Sequence, residues 1–179
     1  MWETPAVVLI SGIMAAGKST VAEALARRLP RSVHLRGDVF RRMIVGGRAE
    51  LTAELSDEAW RQLRLRYDLA AATADRYAAA GFTVVLQDVV LGAELPAMVD
   101  RIRHRPLAVV VLAPRADVVA ARERDRPKQG YGDWPVAELD AGFRADTPRI
   151  GLWLDTSAQT PAETVDEILA RAWPEGRIG

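Results

Sequence analysis

At 179 residues, 49% hydrophobic and 27% charged, the chain has the size and composition of one globular domain, expected to run over 1–179. Its 24 basic residues balance 24 acidic ones, so overall charge gives no support to a nucleic-acid or membrane-surface role. Cysteine is absent, which excludes disulfides and thiolate chemistry.

The opening stretch MWETPAVVLIS has no basic leader, and its apolar run is too short for a signal peptide. No stretch is long enough to span a bilayer, so a cytoplasmic protein is expected. The run AVVLIS (6–11) reads as a strand buried on both faces. GIMAAGKST follows at once, with Gly12, four residues, then Gly17, Lys18 and Ser19. This is the G-x-x-x-x-G-K-[ST] spacing of a phosphate-binding loop. The glycines allow backbone N–H groups to wrap an anion. Lys18 is suited to β- and γ-phosphates and Ser19 to Mg²⁺. Gly12, Ala15, Ala16, Gly17, Lys18, Ser19 and Thr20 are therefore the candidate nucleotide contacts, for ATP with Mg²⁺. An amphipathic helix is expected next, with Val21, Ala24, Leu25 and Leu29 on one face.

SVHLR (32–36) reads as the second strand, and RGDVFRR follows it. Asp38 can cap the next helix at its N-cap position, or serve as a general base toward a substrate hydroxyl, or both. Residues 27–48 hold seven arginines with Asp38 as the only acid. Arg36, Arg41 and Arg42 flank it and suit an anionic or polyhydroxylated substrate. From Ser56 to Ala80 the pattern is one long helix with a Ser56 cap, acids 57 and 58 in its first turn, and Gly81 after its last. Its expected buried stripe is Trp60, Leu63, Tyr67, Ala70, Ala71 and Ala74.

TVVLQD (83–88) is an apolar strand ending in Asp88, a candidate for metal or substrate contact or for capping the turn toward Gly92. LAVVVLA (107–113) is the fourth strand. After it, Arg122 and Arg126 share a helical face and could neutralise charge on a phosphoryl group in transit. The turn-rich insertion 124–135, with Pro127, Gly130 and Gly132, suits a mobile lid placed at about 122–134. IGLWLD (150–155) is the fifth strand, and its loop could pack against adenine. The final helix opens with a capping box from Thr160 to Glu163, with Pro161 at its first position. Strands alternating with helices imply a parallel α/β sheet with ligands at the carboxyl ends of its strands. His34 and His104 show no metal or catalytic spacing.

GIMAAGKST, HLRGDVFRRMI, VVLQDVVLG, RERDRPKQGY and TPRIGLWLDTSAQTPAETV, in that order, resemble the small P-loop phosphotransferases of the chloramphenicol phosphotransferase-like group. Zeta toxins, shikimate kinase and gluconate kinase lie nearby. The resemblance implies a P-loop NTPase fold with five parallel strands in order 2-3-1-4-5. It also implies ATP- and Mg²⁺-dependent phosphorylation of a small-molecule hydroxyl. By resemblance Asp38 is the base or substrate anchor, Asp88 the acid after the third strand, and Arg122 with Arg126 the lid arginines. A substrate-binding helical region falls at about 38–80. Shikimate kinases carry an acid where this chain has Arg36, which disfavours shikimate.

Antibiotics are implied acceptors, and the arginines favour a nucleoside-like one such as tunicamycin over chloramphenicol. Alternatives are a zeta-toxin-like kinase of a nucleotide sugar, a metabolite kinase, and a nucleic-acid hydroxyl kinase, which the zero overall charge does not support and the arginine cluster at 36–48 keeps open. A nucleotide-dependent switch of the GTPase kind lacks its usual signature, because the only lysines are Lys18 and Lys128.

Overall fold

In a computed structural model of the chain, residues 2, 5–52, 54–125 and 135–179 are described. Three strands of apolar, β-branched residues form the centre of a sheet: β1 (Val7–Ser11), β3 (Thr83–Gln87) and β4 (Leu107–Leu112), buried along their whole length. That is the burial expected where helices cover both faces. The outer strands are β2 (Ser32–Arg36) and β5 (Leu152–Leu154), and the order is β2-β3-β1-β4-β5 with every pair parallel. A sixth strand, β6 (Arg177–Ile178), was not foreseen. It pairs antiparallel with Leu107 and Ala108, the part of β4 that the three-residue β5 leaves uncovered.

The helices are α1 (Lys18–Arg28), α2 (Asp38–Arg42), α3 (Asp57–Ala79), α4 (Glu94–Arg101), α5 (Ala116–Arg124), α6 (Val136–Asp146) and α7 (Pro161–Gly176). Helices α1 and α7 pack on each other and on the sheet, while α3 packs on α2, α4 and the strands β1 to β3. Among the described residues no helix is long and apolar enough to cross a membrane.

Local chemistry accounts for the ends of these helices. Ser56 caps α3 by accepting from the Ala59 amide at 3.1 Å. Thr160 and Glu163 close a reciprocal capping box at α7. Two expected faces shift slightly. In α1 the buried residues include Ala22 and Ala26, and Ala24 is only half-buried. In α3 the stripe is Ala59, Gln62, Arg66, Tyr67, Ala70, Ala71, Ala74 and Ala78, whereas Trp60 is 39% exposed. Trp60 lies one residue round from the face that meets the sheet, so only part of its ring is covered.

Candidate active site

The register brings Ile10 of β1 and Arg36 of β2 level with Gln87 of β3, and Ser11 level with Val111 of β4. The carboxyl ends of the strands therefore open at one level, and the site is assembled there. The Ser11 hydroxyl donates to the Val90 carbonyl at 2.6 Å, tying the segment after β3 to the end of β1.

The first wall is the loop from Gly12 to Gly17. Gly12 has φ +146°, and a Cβ there would lie 2.5 Å from the Leu112 carbonyl oxygen, so no side chain fits. Ala15 occupies the left-handed region at φ 60°, a conformation that costs an ordinary residue about 1–2 kcal/mol. The strain is held by the surrounding turn, in which the Ala16 amide donates to Ile13 at 3.2 Å. No side chain caps α1 at Gly17. The first amides of α1 and its positive end are thus open to an anion. Lys18 is buried and donates from Nζ to the Ile13 carbonyl at 2.7 Å, which keeps the ammonium inside the curve of the loop.

The loop borders a cavity of about 500 Å³. Ala15, Ala16, Gly17, Lys18, Ser19 and Thr20 line it, as do Asp38, Asp88 and Arg122. Gly12 shapes the loop from behind without lining the cavity. Arg122 donates to the Ala16 carbonyl at 3.3 Å and the Thr156 carbonyl at 3.2 Å. It bridges the phosphate loop and the segment after β5. Arg126 lies outside the described residues, as do 127–134 of the expected lid.

Asp38 is the first residue of α2, with Gly37 preceding it in the N-cap position. The N-cap reading of Asp38 is thereby corrected: its side chain caps nothing and turns to cations. Arg42 approaches its Oδ2 at 3.0 Å and Arg36 at 3.4 Å. Its Oδ1 is buried and has no hydrogen-bond partner among the described residues. Arg36 lines the cavity, whereas Arg41 and Arg42 do not. Arg41 donates to the Ala49 carbonyl at 2.5 Å, and Gln62 holds the same loop through the Ala49 amide and the Gly47 carbonyl.

Asp88 is 2% exposed, and both its carboxylate oxygens accept from one guanidinium, that of Arg66. The Nε to Oδ2 distance is 2.9 Å, and the Val89 amide donates to Oδ1 at 2.7 Å. The carboxylate also lies against the backbone of Gly37: a Cβ there would come within 1.9 Å of Oδ2. Burial lowers the pKa of Arg66, with Tyr67 and Asp38 opposing that shift. Tyr67 donates to the Val89 carbonyl at 2.7 Å, and burial pushes its phenol up to about 12, so it stays protonated at neutral pH.

Arg66 and Gly37 were the residues that sequence reasoning missed. The signal for Arg66 was its place four residues after Gln62 and one before Tyr67, a charge on the buried face of α3. A charge there needs a buried partner. Thr156 and Gln159 also line the cavity. The Gln159 amide is fixed by Thr164 and Glu167, and the Thr156 hydroxyl is buried without a partner among the described residues.

A model of the AAA domain family matches residues 7–148. No curated protein sequence matches the chain. Among solved structures, the Mycobacterium tuberculosis APS kinase in complex with AMPPNP and APS is 20% identical, with a TM-score of 0.67 over 92% of this chain and 95% of that one. A gluconokinase from Sinorhizobium meliloti is 22% identical, with a TM-score of 0.60 over 93% and 90%. The Deinococcus radiodurans tunicamycin resistance protein is 19% identical, with a TM-score of 0.64 over 92% and 94%. The matched segment begins at β1 and includes the phosphate loop, Asp38, Arg66, Asp88 and Arg122, so the chain belongs to the AAA domain family and has the fold of the P-loop kinases.

Proposed function

We propose that the protein is an ATP- and Mg²⁺-dependent kinase that phosphorylates a hydroxyl of a small molecule. The observation that carries this reading is one cavity that joins the phosphate loop to Asp38 and Arg122. Transfer of a phosphoryl group needs alignment and charge neutralisation more than covalent help. Lys18 and the loop amides hold the phosphate chain, and Arg122, braced on the loop, meets charge that develops during transfer. Asp38 takes the proton from the acceptor hydroxyl. The acceptor oxygen then forms its bond to the γ-phosphorus as the bond to the β–γ bridging oxygen breaks, and ADP keeps that electron pair.

Among the described residues no group of three or more His, Cys, Asp or Glu could hold a metal by itself. Magnesium suits such a site, because it takes most of its ligands from phosphates and water. The Ser19 hydroxyl, on the cavity wall, would hold the ion as its protein ligand. Asp88, already bonded to Arg66 through both oxygens, is left an outer role. When bound, the ion screens phosphate charge.

For the acceptor, the tunicamycin resistance protein among the structural neighbours offers a nucleoside antibiotic as one compound to test, with chloramphenicol as another. Sugars and sugar acids follow from the gluconokinase, and a nucleotide sugar is the zeta-toxin-like alternative. Work in the cytoplasm on a small molecule accords with these readings. The discriminating experiment is Asp38→Asn. It should keep Mg·AMPPNP binding while kcat falls by about 10²–10⁴, the usual worth of a positioned base. Unchanged kcat would remove Asp38 from the chemistry.

A further inference from the structure

Besides Lys18 and Arg122 beside the phosphate loop, the charged residues that line the cavity are two arginines and two acids: Arg36, Arg66, Asp38 and Asp88. Their formal charges cancel. Arg42, outside the cavity and half-exposed, also turns to Asp38. Arg66 gives Nε and Nη2 to the two oxygens of Asp88, whose side chain is fully buried. That parallel pair of donors is the fork with which arginine grips a carboxylate or a phosphate. Here the chain's own carboxylate occupies it. Arg41 is engaged by the Ala49 carbonyl. The arginines around Asp38 therefore do not all serve the cavity: Arg36 lines it, whereas Arg41 and Arg42 do not.

Two atoms keep hydrogen-bonding capacity toward the acceptor. Nη1 of Arg66 is a donor with no hydrogen bond among the described residues, and Oδ2 of Asp38, the accessible oxygen of a carboxylate whose Oδ1 is buried, is met only by Arg42 at 3.0 Å and Arg36 at 3.4 Å and keeps room to accept. A hydroxyl satisfies both, because it accepts from one and donates to the other. An anionic group offers only acceptors and meets the negative charge of Asp38. We infer that the acceptor is an uncharged polyhydroxylated molecule, and that Asp88 is a positioning residue that occupies the Arg66 fork and so denies it to anions. This rests on the kinase reading above.

The test uses the full chain with Mg·AMPPNP already bound, so that the phosphate loop is filled. Failure of AMPPNP to bind would overturn the kinase reading itself, and is read separately. Calorimetric titration then compares an acid with its neutral counterpart: gluconate with glucitol, and shikimate with its methyl ester. In the wild type the acids should show no binding that depends on Arg66. Asp88→Asn should raise acid affinity by at least about tenfold, the scale of a charge-assisted bond. Asp88→Asn combined with Arg66→Met should not. Unchanged acid affinity in a folded Asp88→Asn variant would overturn the inference. Where that variant does not fold, the wild type decides alone. Acid binding that is lost in Arg66→Met overturns the inference, and its absence upholds it.

Discussion

Gly37 is the position at which a single added methyl group tests the geometry of the site most sharply. Its backbone is ordinary, at φ −63°, so alanine there meets no conformational penalty. The Cβ would nevertheless stand 1.9 Å from Asp88 Oδ2, 2.5 Å from Cγ and 3.0 Å from Cβ. Reaching ordinary contact at 3.4 Å requires Oδ2 to move by 1.5 Å, from 3.4 minus 1.9. That displacement breaks the 2.9 Å bond from Arg66 Nε, in a place where neither side chain can turn to water. Overpacking alone costs about 1–3 kcal/mol, and breaking a buried ion pair about 3–5 kcal/mol. Arg66 can still follow one oxygen, so Gly37→Ala should cost about 2–4 kcal/mol. Urea unfolding followed by circular dichroism measures this as a lower midpoint at unchanged slope. The same change in an Asp88→Ala background should be much less costly, because the two positions act on one contact. A loss below about 0.5 kcal/mol in the wild-type background would refute the packing of Asp88 between Gly37 and Arg66.

Arg122→Ala removes the bridge from the phosphate loop to Thr156. It should lower kcat by about 10²-fold or more while weakening AMPPNP binding less, and an effect on melting temperature alone would contradict this. His34, half-buried with Nε2 unpaired among the described residues, has its pKa lowered by burial. The unfolded chain therefore takes up this proton at a higher pH than the folded one. The stability that His34 contributes is fully present above its ordinary value of 6.5 and declines as the pH falls through the lower folded value. His34→Gln should flatten this part of the stability profile, measured by urea unfolding between about pH 7.5 and 5. An unchanged slope would show that the imidazole titrates normally.

The legible parts of this protein were those written in consecutive residues. The phosphate loop is such a case, because its function resides in backbone amides, two glycines, one lysine and one hydroxyl within a single turn. The Ser56 cap and the Thr160–Glu163 box were legible for the same reason, and so were the three central strands, whose burial on both faces leaves uninterrupted apolar runs. The strand order came from family resemblance, since periodicity does not say which strands are neighbours. The pair Arg66–Asp88 and the gap at Gly37 were not legible, because three segments remote in sequence meet only in the folded sheet. Nor could the arginines around Asp38 be sorted by composition. Arg36 faces the cavity while Arg41 secures the 47–49 loop, a difference set by the direction of each side chain. The strand β6 was too short to leave a pattern.

The central claim is that this cavity moves phosphate from ATP to a hydroxyl under the control of Lys18. Incubation with γ-labelled ATP, Mg²⁺ and a panel of hydroxylated antibiotics, sugars and nucleotide sugars, followed by separation of the labelled products, measures that transfer directly. The wild type should place label on one class of acceptor. Lys18→Ala should fold equally well and lose nearly all of that transfer. Labelled acceptor formed at the wild-type rate by Lys18→Ala, or no labelled acceptor from any hydroxyl with the wild type, would contradict the account.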